Sequence, residues 1–241
     1  MTEASDKIKA IYDWRHALGG TNKDYKPIAQ ADVDLLKKYI DLTTAKVCDV
    51  GCGGGAHLGS LLKAGVRFPV GIDLSSRALA ALLEGNDADK ILLVHGDVTL
   101  WQMRQSFDAV ICSLPPLAHE GRMCLQPFVG TLYNLLNQGG VLLLKLITLE
   151  SVVSIVGSYT VNYDGAKCGT CSEVTYDQFR RTMRIVQHSI DTPDDIMIEE
   201  LALPSSEDVF MAIAKAGFSA EQLIDDRIFL LPGTQTFVAR S

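Results

Sequence analysis

The run Val47-Cys48-Asp49-Val50-Gly51-Cys52-Gly53-Gly54-Gly55 constrains this chain more than any other. Its apolar start reads as a short strand and its glycines as a tight turn. Ala56 to Ala64 then reads as a helix, with Leu58, Leu61 and Leu62 on one face and Gly65 placed to stop it. Strand, glycine turn and helix together make a nucleotide-binding corner. Glycine removes the Cβ that would keep a ligand off the backbone N–H groups, and the helix start adds partial positive charge. Two ligands suit such a corner. Gly51-x-Gly53-x-x-Ala56, with Asp73 22 residues after Gly51, is an acceptable dinucleotide fingerprint. Asp49 argues the other way, because it stands at the strand end where a dinucleotide would lay its pyrophosphate. An acid there repels phosphate and suits a ligand that carries an ammonium group.

At these residues the chain resembles the class I S-adenosylmethionine-dependent methyltransferases. Their first motif matches Asp49-Val50-Gly51-Cys52-Gly53-Gly54-Gly55, and their second matches Gly71-Ile72-Asp73-Leu74-Ser75. The resemblance runs from about Lys46 to Ile147 by motif, and over the C-terminal hairpin by shape. It implies S-adenosylmethionine as cofactor and a set of roles. Gly51, Cys52 and Gly53 would pass their backbone against the methionine part and the sugar, and Asp49 would orient the ammonium. Asp73 would accept the ribose hydroxyls, and Leu74 would pack on the adenine. Asp97 would take the adenine amino group while the Val98 N–H meets a ring nitrogen. Trp101 would cover the ring edge, and Ser113 and Leu114 would supply backbone groups near the sulfonium.

The rest of the chain alternates strand and helix from Ala45, the mark of a parallel sheet built by right-handed crossovers. Strands are expected at Lys46–Val50, Pro69–Ile72, Lys90–His95, Asp108–Cys112 and Val141–Ile147. Asp49, Asp73, Asp97 and Ser113 fall at strand ends, where open sheets of this kind bind ligands. The expected fold is α/β and Rossmann-like: a doubly wound, mostly parallel seven-stranded sheet, a C-terminal antiparallel hairpin and an insert after the fifth strand. One domain accounts for all 241 residues. It divides into a helical cap (1–44), a cofactor-binding core (45–147), a substrate-facing insert or lid (148–203), and a helix with the closing hairpin (204–241). Within the insert a helix is expected from Thr175 to His188, with Tyr176, Phe179, Met183 and Val186 on one face and Arg180, Arg181 and Arg184 in solvent. In the cap, Tyr12 or Arg15 would reach the cofactor.

Composition excludes several functions. A net charge of −7 opposes a grip on nucleic-acid backbone, and no apolar run approaches the roughly 20 residues of a membrane span. The polar N-terminus lacks a signal-peptide core, so a cytoplasmic protein is expected, with its cysteines reduced. Cys168-x-x-Cys171 has no second pair to complete a zinc site, and no metal is expected. His119 and Glu120, just after the fourth strand, are the candidate catalytic groups for removing a proton from the acceptor. His57, one residue into the helix, belongs near the cofactor rather than the acceptor. Base and glutamine methyltransferases carry Asp/Asn-Pro-Pro-aromatic after strand four, whereas this chain has Ser113-Leu114-Pro115-Pro116-Leu117. The favoured acceptor is therefore a small organic molecule, methylated on oxygen or nitrogen, and a homodimer is an allowed assembly. The alternatives are a methyltransferase acting on protein or RNA, a nucleotide-binding oxidoreductase, and a cofactor-binding member without catalysis.

Overall fold

A computed structural model of the chain describes residues 6, 9–14, 25–85, 87–101, 106–114, 125–152, 156–162, 169–225 and 234–241. Its central sheet has seven strands in the order β10-β11-β5-β4-β1-β2-β3. β1 (Val47–Val50), β2 (Val70–Asp73), β3 (Leu92–His95), β4 (Phe107–Ser113) and β5 (Leu136–Leu146) run parallel. β10 (Ser219–Asp225) and β11 (Gln235–Arg240) form the antiparallel closing hairpin, with β11 set against β5. The expected fold class holds, strand count included.

Each β1 residue is buried, as are Val141 to Leu146 of β5, because helices cover both faces. On one face α2 (Lys26–Leu36) and α3 (Ala56–Lys63) bury Val33, Leu36 and Leu61 against Val47, Ala109, Ile111 and Leu143. On the other, α5 (Leu125–Leu135) and α6 (Ser206–Ala216) bury Phe128, Leu132, Val209 and Ile213 against Val110, Leu142 and Phe237. α4 (Ser76–Leu83) links β2 to β3 and is capped by the Ser75 hydroxyl, which accepts from the Ala78 N–H. A short helix, α1 (9–14), precedes these. The chain steps outward from β1 to β3, then crosses to β4. The order therefore reverses between β1 and β4, at the carboxyl ends where a crevice opens.

A second sheet follows β5. β6 (Gly157–Asn162), β7 (Gly169–Asp177), β8 (Thr182–Ser189) and β9 (Ile196–Ala202) form an antiparallel meander. Val174 and Met183 pack on Val152 and Leu203, with Ile147, Leu149 and Leu201 at the margin.

The helix expected from Thr175 to His188 is absent: the segment is the β7–β8 hairpin. Tyr176 and Met183 share a face because they are cross-strand partners, and seven residues apart mimics two helical turns. The turn is made by Asp177, whose Oδ1 accepts from the N–H groups of Phe179 and Arg180, and by Arg181 at a φ of 52°. Phe179 is 92% exposed at the tip instead of packing with Met183. His188 is a strand residue opposite Cys171, not a helix terminus. β5 starts at Leu136, five residues before the expected Val141 and directly after α5.

Candidate functional site

The glycine turn after β1 is built from positive-φ residues. Gly51 (φ 74°) and Gly53 (φ 48°) have open space where a Cβ would point, whereas a Cβ on Gly55 would collide with Leu82. Gly55 therefore serves packing, and Gly51 and Gly53 leave a bare backbone surface. The donors of this loop are already used. The N–H groups of Gly51 and Cys52 donate to the Ile72 carbonyl at 2.8 and 3.1 Å, and the Gly53 N–H donates to Asp73 Oδ2 at 2.7 Å. A pyrophosphate laid here would find those three N–H groups spent.

Asp73 ties the corner together. Its other oxygen, Oδ1, accepts from the Ser75 N–H at 2.8 Å, so one carboxylate joins the β2 end to both the glycine loop and the α4 cap. Ser75 also donates its hydroxyl proton to Asp13 of α1, which brings the N-terminal helix to this corner.

Asp49 is the exception in this satisfied loop. It is fully buried at the centre of the sheet, and its Oδ2 has no hydrogen-bond partner among the described residues. The closest cationic group is His57 Nδ1 at 3.8 Å, beyond hydrogen-bond reach. Burial pushes the Asp49 carboxyl up to about 6; His57 pulls it back, while Asp73 and Asp32 add to the rise. An orphaned buried acid is costly, and its persistence here points to a donor that the described residues do not supply.

Behind Asp49 lies a buried polar chain. His57 Nε2 is 3.0 Å from Asp32 Oδ2, and Lys145 Nζ donates to Asp32 Oδ1 at 2.7 Å. All three side chains are buried between α2, α3 and β5. Burial alone would raise the Asp32 carboxyl, but His57 and Lys145 outweigh it and hold it below its ordinary value. Burial would lower the His57 imidazole, yet Asp49 and Asp32 raise it above its ordinary value. His57 therefore does lie near the cofactor corner. Asp32 and Lys145 were not expected there, although both carried a signal. Lys145 is the one charge in an apolar strand, and Asp32 sits on the same stripe as Ala29, Val33 and Leu36.

The remaining expected residues line the same strand ends. Asp97 caps a short 3-10 turn, Val98–Leu100, through Oδ1, which accepts from the N–H and hydroxyl of Thr99 at 2.9 and 2.6 Å. Val98 is buried, and Trp101 packs partly on the core beside Gly96. Leu74 is half-buried, and its carbonyl lies 3.0 Å from His95 Nε2. Ser113 ends β4, and Leu114 follows at a φ of 52°, a strained conformation for leucine. The Leu114 N–H donates to the Lys145 carbonyl at 2.9 Å, so of its backbone groups the carbonyl is the one left to meet a ligand. His119, Glu120, Arg15 and Cys168 lie outside the described residues; Tyr12 lies on α1, half-buried. Cys48, Cys52 and Cys112 are buried free thiols, and Cys171 is free in β7.

The site thus joins an open α/β sheet with glycines at positive φ, acids at successive strand ends and a carboxylate oxygen without a partner among the described residues. Residues 47–140 match the family described as a methyltransferase domain. Over those residues the chain is similar to that family, and its fold is that of solved S-adenosylmethionine-dependent methyltransferases. Among solved structures, DesVI of Streptomyces venezuelae superimposes with a TM-score of 0.70 at 21% identity, over 99% of this chain and 98% of that one. CalS10, the S-adenosylmethionine-bound amino pentose methyltransferase of Micromonospora echinaspora, gives 0.66 at 22% identity, over 87% and 89%. The tRNA U34 carboxymethyltransferase of Klebsiella pneumoniae is 30% identical over 152 residues, 59% of this chain and 44% of that protein. The chain spans under half the length of the first curated relatives it matches. Among the described residues, no helix is long and apolar enough to cross a membrane.

Proposed function

We propose that the protein transfers the methyl group of S-adenosylmethionine, by in-line displacement, to an oxygen or nitrogen of a small organic acceptor. The observation that carries this reading is Asp49 Oδ2, a buried acceptor without a donor among the described residues, beside a glycine turn whose N–H groups at Gly51, Cys52 and Gly53 are spent. That pairing suits an ammonium-bearing ligand and opposes a pyrophosphate, so it also weighs against an oxidoreductase. Asp49 takes the ammonium, and the bare backbone of Gly51, Cys52 and Gly53 meets the methionine part and the sugar. Asp73 accepts from the ribose, Leu74 and Val98 flank the adenine, and Asp97 takes its amino group. Ser113 and the Leu114 carbonyl border the sulfonium.

The chemistry needs the reacting atoms collinear and water excluded, and orientation alone supplies up to about 7–11 kcal/mol in well-ordered systems. The second sheet is suited to that task. One of its faces joins apolar Val174 and Met183 to buried Thr170, Ser172, Ser189 and Glu199, a mixed polar and apolar character in keeping with a compact polar acceptor. The amino pentose acted on by CalS10 is of that kind. The net charge of −7 disfavours an RNA acceptor. His119 and Glu120 are the groups proposed to take the acceptor proton.

Asp49→Ala and Asp73→Ala should each weaken S-adenosylhomocysteine binding at least tenfold, about 1.4 kcal/mol or more, by isothermal calorimetry. Wild-type affinity in either variant defeats that residue's role. Purified protein that ignores S-adenosylhomocysteine yet binds a nicotinamide dinucleotide defeats the reading as a whole.

A further inference from the structure

Asp49 is only the visible end of the buried chain Lys145–Asp32–His57–Asp49, and the charges along it can be counted. Lys145 and Asp32, 2.7 Å apart, cancel. That leaves His57 and Asp49, whose facing atoms are 3.8 Å apart and fully enclosed. If both were deprotonated, the site would hold one uncompensated negative charge in the interior, which is expensive. One proton on the pair makes the cluster neutral. A ligand ammonium at Asp49 makes it neutral equally well, but ammonium and proton together would leave a buried positive charge.

We propose that His57, fixed by Asp32 and Lys145, is a positioning residue for the methyl-donor site: it holds a counter-proton for Asp49 while the site is free and gives it up when the donor's ammonium arrives. The inference rests on the methyl-donor reading above. Asp32 accepts from the Nε2 side at 3.0 Å and Lys145 locks Asp32, so the imidazole cannot turn away; its Nδ1 edge must face Asp49. The distance of 3.8 Å suits this role better than a direct hydrogen bond would, because the pair is held by charge alone and Asp49 keeps its lone pairs for the ligand. The other carboxylates against Asp49 favour the shared proton, since Asp73 and Asp32 both raise Asp49. Asp73 at the β2 end is bound to the Gly53 and Ser75 N–H groups, and burial drives the thiols of Cys48, Cys52 and Cys112 well up, so they stay protonated.

The sign follows. Asp49 is raised to about 6 and His57 above its usual value of 6.5, so the pair keeps a proton to the acid side of neutrality. Donor affinity should climb as pH rises from about 6 through the His57 transition and level off above it, since binding expels a proton.

The test is calorimetric titration of the intact protein at pH 6.5, in buffers of different ionisation enthalpy, with S-adenosylhomocysteine and with 5′-methylthioadenosine, which lacks the amino-acid end. S-adenosylhomocysteine should release roughly half a proton to one proton per site, and methylthioadenosine close to none. In His57→Gln the release should fall below about a fifth of a proton while S-adenosylhomocysteine still binds. Equal release by the two ligands in the wild-type protein overturns the proposal, whether or not the variant folds. So does binding of S-adenosylhomocysteine with no release, or undiminished release from His57→Gln. Failure of S-adenosylhomocysteine to give any binding heat is a different result: it removes the methyl-donor reading, and this inference with it.

Discussion

The two sheets of this molecule solve burial in opposite ways. The middle strands of the central sheet are covered on both faces and largely apolar; β1 is Val-Cys-Asp-Val with every residue buried. The second sheet alternates. In β7, Ser172 and Val174 are buried while Glu173 and Thr175, which alternate with them, are exposed. Polar groups follow the same division. In the central sheet they are few, deeply buried and gathered into one chain, as with Asp49, His57, Asp32 and Lys145. In the second sheet they are many and lie along a face.

If the central sheet depends on its buried charges, breaking one should be felt throughout. Lys145→Met leaves Asp32 with His57, and should cost about 3–5 kcal/mol of global stability by urea denaturation. The loss should be smaller at pH 6 than at pH 8, because Lys145 opposes protonation of His57, and without it the imidazolium can stand in as counter-charge. A loss that does not change with pH would show that the pair contributes packing rather than charge. Met183→Ala probes the other sheet. Met183 is wholly buried among Val152, Val174 and Leu203, and its truncation should cost about 2–4 kcal/mol. The expected loss is local: hydrogen exchange in β7–β9 should quicken while S-adenosylhomocysteine affinity holds within about twofold. A matching fall in affinity would mean that the two sheets act as one unit.

How much of this was legible in the sequence follows the same division. The central sheet announced itself because its geometry forces residue types: glycine where φ is positive at 51, 53 and 55, acids at strand ends, serine at the α4 and α6 caps. The Asp32–Lys145 pair was not legible, because it joins residues 113 positions apart and sequence periodicity reaches only neighbours. Even so, a lysine in a doubly covered strand requires a buried acid, and Asp32 on the apolar stripe of α2 could have been nominated. The β7–β8 hairpin was misjudged for a related reason. Over a short stretch, Tyr176 and Met183 fit a helical stripe and a cross-strand pair equally well, and the pairing that decides between them is tertiary. His119 and Glu120 lie outside the described residues, so the acceptor side rests on the second sheet alone.

The smallest expected effect concerns the link between the two regions. α1 touches both: Asp13 accepts from Ser75 at the donor corner, and the neighbouring Trp14 donates its indole N–H to Asp195 Oδ1, at 2.8 Å, before β9. These adjacent residues thus join the Ser75 corner to the segment before β9, and a short helix so held passes a shift at one end to the other. The Trp14 bond is exposed and contributes about 1 kcal/mol at most. Trp14→Phe keeps the aromatic bulk and removes the donor. Hydrogen exchange in peptides spanning 9–14 and 190–196 should rise by roughly threefold, with β1 to β5 unchanged. Adding S-adenosylhomocysteine should slow exchange at 190–196 in the wild-type protein, because ordering the Ser75 corner steadies α1, and it should do so much less in the variant. Equal slowing in both proteins would show that the donor site speaks to the second sheet by another route, through the β5 end and Leu149, whose N–H donates to the Pro204 carbonyl just past β9.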